Sequence, residues 1–236
     1  DAIMTFKLGV KTIAMRHGLC ASFMPKPKEE YNGSGMHINM SLEKDGVNVF
    51  YDKEDPNHLS QEAYWFIGGI MKHIRAITAI TNPVINSYKR LVPGFEAPVY
   101  IAWSGKNRSP LIRIPAHKGG GQRIELRSPD SAANPYLAIA VCLTAGLDGI
   151  RNQIMPPAPV DANIFNLSEE ERNKRGIECL PENLMEAVQW LEKDPVILSA
   201  LGEHLSEKYI QAKKREWKEY CSSVTDWEIE SYLAKI

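Results

Sequence analysis

The stretch QRIELR at residues 122–127 decides how the middle of the chain folds, because apolar and charged side chains alternate along it. Ile124 and Leu126 fall on one side of an extended strand. The opposite side carries Arg123, Glu125 and Arg127. A charged strand side of this kind is either the wet face of an ordinary antiparallel sheet or the floor of a functional site.

A second alternating stretch, MHINMSL at residues 36–42, places His37, Asn39 and Ser41 on one side of a strand. Asp45-Gly46 follows it and is typical of a tight hairpin turn. If both stretches belong to one sheet, their polar sides form a common floor. Further strands are predicted over residues 19–24, 47–50, 99–103 and 111–115.

Apolar residues at three- and four-residue intervals predict helices in most of the remaining chain. One long amphipathic helix runs from Ser60 to Thr81, and Asn134-Pro135 starts another that reaches about residue 154. Further helices are predicted for residues 6–17, for the stripe at 184–191, for 194–220, and after the capping box that starts at Thr225. From these patterns alone, the fold is a mixture of α and β elements.

Composition excludes several classes of protein. The 236 residues are 44% hydrophobic and 24% charged, as in ordinary globular domains rather than disordered or collagen-like chains. The net charge of −1, from 28 basic and 29 acidic residues, argues against nucleic acid or an anionic membrane as a partner. The sequence has no membrane-spanning run and no CxxC spacing, so we expect a cytoplasmic location and reduced thiols at all four cysteines. The chain begins with Asp1 and is interpreted as a piece of something longer.

Five arginines with few acidic neighbours lie within 38 positions of the middle segment. Surface arginines usually alternate with carboxylates, so this cluster favours a site for anionic groups. Guanidinium groups bind phosphate and carboxylate oxygens through two parallel hydrogen bonds. The five are Arg90, Arg108, Arg113, Arg123 and Arg127.

Four longer motifs carry a resemblance to a known family. They are NGSGMH at residues 32–37, NSYKRLVPGFEAP at 86–98, NRS through RIP at 107–115, and RIELRSPD through NPYL at 123–137. In their order and spacing they resemble glutamine synthetase of the bacterial type I class. The likeness covers essentially the whole chain, residues 1–236, but only the later part of the family's catalytic domain.

The resemblance implies a fold and a reaction. The fold is α+β, with a curved antiparallel sheet of the glutamine synthetase/guanido kinase type backed by helices and a helical C-terminal part. The reaction is ATP-dependent ligation of ammonia to the γ-carboxylate of glutamate through γ-glutamyl phosphate, with Mg²⁺ or Mn²⁺ as cofactor. The implied partners are glutamate, ammonium, ATP and further copies of the chain, arranged as a dodecamer of two hexameric rings.

Roles at the phosphoryl-transfer end follow from motif position. The resemblance implies that His37 and Glu125 hold a metal ion, and that Arg108 and Arg113 contact ATP phosphates. It also implies that the nucleotide is bound by Asn39, Ser41 and Arg123.

Roles at the glutamate end follow in the same way. The resemblance implies that Asn32 and Gly33 lie in a loop that binds the α-amino end of glutamate, and that Arg90 and Arg127 contact glutamate and the transferred phosphoryl group. Arg108 belongs to the same substrate-binding set. Glu96 lies in a loop that helps to accept a proton from ammonium, and the residues implied in catalysis are Glu96, Arg113 and Arg127.

Two positions depart from the family's pattern. Asn39 stands where many type I members have a second histidine, and it carries no charge. Phe165 stands where one subclass carries a tyrosine that is adenylylated, and its ring has no hydroxyl to modify. The chain therefore resembles the subclass that escapes adenylylation and is regulated by feedback.

The family's N-terminal β-grasp domain and first catalytic strands, which carry further metal ligands, have no counterpart in residues 1–236. We therefore expect weak metal binding and poor turnover by this chain alone. Three functions remain open at this point. They are the glutamine-forming enzyme, a ligase that joins glutamate to a larger amine, and a non-enzymatic assembly or regulatory fragment.

Overall fold

A computed structural model describes residues 1–107, 110–116, 120–162 and 164–236, and its secondary structure is mixed α and β. The helices are α1 (Ala2–Arg16), α2 (Gln61–Thr81), α3 (Ile85–Arg90), α4 (Pro135–Arg151), α5 (Glu169–Lys174), α6 (Leu184–Glu192), α7 (Pro195–Leu201), α8 (Glu203–Cys221) and α9 (Asp226–Tyr232). The strands are β1 (Ile38–Met40), β2 (Glu43–Lys44), β3 (Val47–Asn48), β4 (Trp103–Ser104), β5 (Ile112–Arg113) and β6 (Ile124–Leu126).

The central sheet has the strand order β1-β6-β5-β4, and β6 runs antiparallel to both of its neighbours. The prediction of an antiparallel sheet is wrong for the last pair, because β4 and β5 are parallel. Parallel neighbours usually need a long crossover connection. Here only the seven residues 105–111 separate the two strands in the sequence, and each strand is only two residues long. The sheet is therefore mixed, and its curvature stays a prediction.

The predicted strand over residues 19–24 is also wrong. This segment pairs with no other described strand, and its contacts are isolated bonds such as Ser131 Oγ donating to the Phe23 carbonyl at 2.8 Å. Leu19 and Met24 stay 68% and 43% exposed. Without burial of these side chains there is no driving force for a sheet.

Helix α2 lies at the centre of the core and packs against α4 and α6. Its predicted start is confirmed, since the Ser60 side chain accepts a hydrogen bond from the Ala63 amide. The contact with α4 depends on glycine, because a Cβ on Gly69 would lie 2.1 Å from the Ala145 carbonyl oxygen. A Cβ on Gly149 would lie 2.0 Å from another backbone oxygen, so the two helices touch through their backbones.

The helices differ from the predictions at several places. The long helix predicted over residues 194–220 is two helices, because Gly202 adopts φ 75° and ψ 159°, a conformation open mainly to glycine. Helix α4 ends at Arg151 rather than near residue 154. Helix α3 was not predicted, and its six residues are too few for a clear apolar period.

Several local predictions are confirmed. Asp45 and Gly46 turn the hairpin with φ angles of 53° and 79°, and Thr225 caps α9 through the predicted capping box. The predicted stripe on α6 is buried.

Two further findings concern the cysteines and the helices. Each of the four cysteines has a free thiol. None of the described helices combines the length and the apolar character needed to cross a membrane.

Candidate active site

The central sheet brings the two polar strand sides together, as the alternation predicted. Glu125 of β6 lies opposite Asn39 of β1 and opposite Arg113 of β5. Directly opposed residues of an antiparallel pair project from the same face, as do residues two apart on one strand. The polar face therefore carries His37, Asn39, Arg113, Arg123, Glu125 and Arg127, and the apolar face points into the core.

Glu125 is the centre of an ion cluster on this face and is only 7% exposed. Its Oε1 lies 3.1 Å from His37 Nδ1, and its Oε2 lies 2.7 Å from Arg113 Nε and 4.0 Å from Arg127 Nε. The Arg113 contact is an ion pair by distance, but its geometry is not that of a hydrogen bond, so Oε2 accepts no hydrogen bond within the described part of the chain. A buried carboxylate oxygen with unused acceptor capacity is typical of a functional site.

The charges around His37 favour its neutral form. Partial burial lowers the pKa of His37, the positive charges of Arg127 and Arg90 lower it further, and contact with Glu125 opposes both effects. A neutral imidazole offers a nitrogen lone pair to a metal ion. Imidazole nitrogen and carboxylate oxygen side by side suit a divalent cation. Among the described residues no third His, Cys, Asp or Glu completes such a group, so these two would hold a metal only together with other ligands.

A cavity of about 380 Å³ opens beside this cluster. Most of its walls are residues that the motifs singled out for glutamate and phosphoryl contacts. The lining consists of Asn32, Gly33, Gly35, His37, Arg90, Phe95, Glu96, Ala97 and Arg127.

Two glycines let the wall of the cavity approach its arginine. A Cβ on Gly33 would lie 2.3 Å from the Pro25 carbonyl oxygen and 2.9 Å from Arg90 Cγ. A Cβ on Gly35 would lie 2.7 Å from Arg90 Nη2. Side chains at these positions would displace the guanidinium, so glycine is a steric requirement here.

Arg90 ends α3 and is 4% exposed. Its Nη1 donates to the Ser128 carbonyl at 2.6 Å, and its Nη2 donates to the Arg127 carbonyl at 3.3 Å. Burial lowers the pKa of Arg90, and Asp130 opposes that effect with its negative charge. These contacts fix the guanidinium at the cavity wall before any ligand binds.

The described members of the predicted nucleotide-binding set, Asn39, Ser41, Arg113 and Arg123, are not among the residues that line the cavity. Arg123 Nε donates to Asn39 Oδ1 at 3.0 Å, which joins two residues of the predicted set across β1 and β6. Ser41 follows β1 and is exposed. Arg108 lies outside the described residues.

Sequence reasoning missed the buried groups behind the site. Asp130 is fully buried, accepts a hydrogen bond from Asn82 Nδ2 at 3.0 Å, and faces Arg90 electrostatically. Burial raises the pKa of Asp130, and hydrogen bonds to its carboxylate oppose that effect. The position of Asp130 at the end of the RSPD motif was the only sequence feature that could have indicated this group. Lys26 lies between Pro25 and Pro27, and no sequence pattern there indicates that it is buried.

The comparisons with known proteins agree with these motifs. The sequence model described as "Glutamine synthetase, catalytic domain" matches residues 1–232. The chain therefore belongs to the glutamine synthetase catalytic-domain family.

Two curated relatives illustrate the similarity. The chain is 58% identical over 235 residues to "Glutamine synthetase" of Clostridium saccharobutylicum, a match that covers 100% of this chain and 53% of that protein. It is 56% identical to "Glutamine synthetase" of Thermotoga maritima, over 99% of this chain and 53% of that protein. The chain thus spans about half the length of the curated relatives it matches.

Solved structures agree in fold. The chain superposes with a TM-score of 0.89 on "GmaS/ADP complex-Conformation 1", at 41% identity over 99% of this chain and 54% of that one. It superposes with a TM-score of 0.85 on the glutamine synthetase of Plasmodium falciparum, at 32% identity over 98% of this chain and 53% of that one.

Proposed function

We propose that this chain forms the phosphoryl-transfer part of an enzyme that joins ammonia to the γ-carboxylate of glutamate with ATP, through γ-glutamyl phosphate. The observation that carries the proposal is the under-bonded Glu125 carboxylate beside His37, ringed by arginines at the edge of the cavity. The curated relatives described above, which share more than half of the residues of this chain, are named glutamine synthetase.

The charge balance of the site suits phosphoryl transfer to a carboxylate. Glu125 contacts two arginines, Arg113 and Arg127, so the cluster around this carboxylate has excess positive charge. Transfer of a phosphoryl group to glutamate brings two anions together, and fixed cations lower the energy of that arrangement. A divalent metal ion held by His37 and Glu125, Mg²⁺ or Mn²⁺, would neutralise part of the negative charge of the phosphate oxygens.

Substrate contacts divide between the two ends of the site. Asn32 and Gly33 receive the α-amino end of glutamate, where the absence of a side chain at Gly33 lets the backbone approach the ligand. Arg90 and Arg127 orient the γ-carboxylate and the transferred phosphoryl group. Glu96 is exposed at the cavity mouth, where its carboxylate accepts a proton from ammonium.

The nucleotide set is Asn39, Ser41, Arg108, Arg113 and Arg123. The similar structure with a TM-score of 0.89 is named as a complex with ADP, which supports nucleotide binding by this fold. Phe165 lacks a hydroxyl and packs against Tyr100 in a tilted arrangement, at 5.8 Å between ring centroids and 59° between ring planes, so the chain escapes adenylylation at this position. Feedback regulation, assembly into two hexameric rings and a cytoplasmic location belong to the same proposal.

The deciding experiment measures phosphate release from Mg-ATP and glutamate, with and without ammonium. It is run on the protein expressed from its complete natural reading frame and, separately, on residues 1–236. Ammonium-dependent release by the complete protein supports the proposal, and its absence contradicts it. A preference for small amines over ammonium in direct competition would reassign the acceptor.

Replacement of Glu96 tests the acceptor end of the site. E96A should slow the ammonium-dependent step about 10²-fold while glutamate-dependent formation of acyl phosphate falls much less, because general-base catalysis acts only on the second step. Rapid-quench measurement of both steps separates them. The control is E170A, which removes an exposed carboxylate paired with Lys174 on α5. Equal loss of both steps would contradict the role of Glu96.

A further inference from the structure

The loop that carries Glu96 is attached to the rest of the protein mainly by side-chain packing, with Ala97 buried in the core. We call residues 92–98 the cavity loop. Within the described part of the chain, no hydrogen bond joins these residues to another segment. Phe95 and Glu96 both line the cavity, so the position of the loop determines the position of the Glu96 carboxylate.

One buried cation contacts the cavity loop directly. Lys26 is 8% exposed, and its Nζ lies 3.4 Å from the centroid of the Phe95 ring. The same Nζ donates to the Tyr31 carbonyl at 2.5 Å. A desolvated ammonium over an aromatic face is attracted by the electron-rich π face of the neutral ring.

No described carboxylate pairs with Lys26. Buried cations are normally paired, because an unpaired one loses hydration without an ionic partner. Here the compensation comes from one carbonyl and one aromatic ring. The Phe95 ring is therefore part of what makes the buried position of this charge tolerable, and displacement of the ring is disfavoured.

The backbone around Lys26 is fixed to two other walls of the cavity. The Lys26 amide donates to Asn86 Oδ1 at 2.7 Å, and Asn86 Nδ2 returns a bond to the Lys26 carbonyl at 3.0 Å. Asn86 belongs to α3, the helix that ends in Arg90. The preceding carbonyl, of Pro25, accepts from the Ser34 amide at 2.8 Å.

We infer that Lys26 is a positioning residue that holds the cavity loop over the site through the Phe95 ring. It ties the Glu96 loop to α3 and to the segment with Asn32 and Gly33. The inference rests on the proposed function and deepens it. With the ring held, the loop shields the acyl phosphate from water, and without it water competes with ammonia for the same intermediate.

The experiment compares two rates in the complete protein: phosphate release from Mg-ATP and glutamate without ammonium, and release with saturating ammonium. K26M removes the cation, and K26Q removes it while keeping a donor for the Tyr31 carbonyl. Each variant should raise the ratio of the first rate to the second about tenfold. K26R keeps a cation able to stack on the ring and should restore the ratio to within about twofold of wild type.

The matched control is K28M. Lys28 lies on the same segment, is exposed, and its Nζ is 5.6 Å from the Tyr31 ring, so K28M should leave the ratio unchanged. F95L tests the route: if Lys26 acts through the ring, the effects of K26Q and F95L do not add in the double variant. Thermal unfolding checks that each variant folds. If K26M does not fold, the result for K26Q decides the test.

The outcomes distinguish this inference from the proposed function. A wild type without ammonium-dependent release contradicts the proposed function itself. An active wild type in which K26Q leaves the ratio unchanged overturns the role of Lys26 alone. The same holds if K28M matches K26Q, if K26R fails to restore the ratio, or if K26Q and F95L are additive.

Discussion

Two histidine–carboxylate clusters in this molecule use the same residue types in opposite ways. In the site, Glu125 contacts His37 at 3.1 Å and leaves Oε2 without a hydrogen bond within the described chain. In the helical core, His73 of α2 uses both ring nitrogens, with Nδ1 2.6 Å from Asp194 and Nε2 3.0 Å from Asp148. The core cluster joins α2, α4 and the start of α7, and it is saturated.

The two histidines respond to their neighbours in opposite directions. Burial lowers the pKa of His73, but hydrogen bonds to Asp194 and Asp148 outweigh that effect, so its pKa is raised overall. The pKa of His37 is lowered, because burial and two arginines outweigh one glutamate. Burial lowers the pKa of both rings, and the balance of neighbouring carboxylates and arginines therefore decides the direction of each overall shift.

The difference teaches how to recognise the functional cluster. Around His73, two carboxylates are matched by the histidine and by Lys72, which lies 3.2 Å from Asp148. Around Glu125, cations outnumber carboxylates. A balanced, fully bonded cluster holds the fold together, whereas an unbalanced one with free acceptor capacity is ready for an external ligand.

The largest effect should come from the unbalanced cluster. E125Q keeps the shape of the side chain and removes its charge, so we expect turnover by the complete protein to fall about 10²–10³-fold. Steady-state phosphate release at saturating ATP, glutamate and ammonium measures this, with E170Q as the surface control. The thermal unfolding transition should be retained. Unchanged turnover and unchanged Mg²⁺ dependence would contradict the role of Glu125.

A smaller effect, on folding rather than turnover, should come from the balanced cluster. H73Q leaves the partly buried carboxylate oxygens of Asp148 and Asp194 poorly paired and should lower the free energy of unfolding by about 2 kcal/mol. Urea unfolding measures this, and H204Q on exposed α8 is the matched control. If H73Q reduced turnover and left stability unchanged, the assignment of a structural role to the His73 cluster and a functional role to the Glu125 cluster would be wrong.

The same variant makes a prediction about pH. Because the pKa of His73 is raised in the folded state, the folded protein binds this proton more tightly than the unfolded chain. The contribution of protonated His73 to the free energy of unfolding is therefore complete below the ordinary histidine pKa of about 6.5. It is lost as the pH rises through the raised pKa of the folded state. The stability difference between wild type and H73Q should accordingly shrink from mildly acidic to alkaline pH.

The smallest effect should come from the edge of the site. N39A removes the acceptor for Arg123 Nε, a single hydrogen bond at 3.0 Å, so we expect the KM for ATP to rise about threefold with little change in kcat. N173A, on exposed α5, is the control. A large loss of kcat would mean that Asn39 belongs with Glu125 in the reacting centre rather than with the nucleotide contacts.

Strict alternation predicted the polar floor of the site correctly. Alternate residues of a strand point to opposite faces, so burial of the apolar residues places the charged residues on the other face. Ile124 and Leu126 are fully buried, and Glu125 lies between them on the opposite face. Helices α2 and α4 were equally predictable, since each carries several turns of apolar spacing. The roles given to the site residues remain predictions.

What the sequence did not predict depends on contacts between distant segments. The strand expected at residues 19–24 has the right residue types, but none of the described strands pairs with it. Nothing near Lys26 in the sequence indicates Phe95, which lies 69 positions later but 3.4 Å away in space. The parallel β4–β5 pair likewise depends on where a short loop returns.

The glycine contact between α2 and α4 has a consequence for the response of the protein to compression. Gly69 and Gly149 bring two backbones together with no side chain between them. Hydrostatic pressure favours states that eliminate internal voids, and a contact of this kind leaves no void to eliminate. Under pressure, this helix pair should separate last, after regions whose packing is less complete.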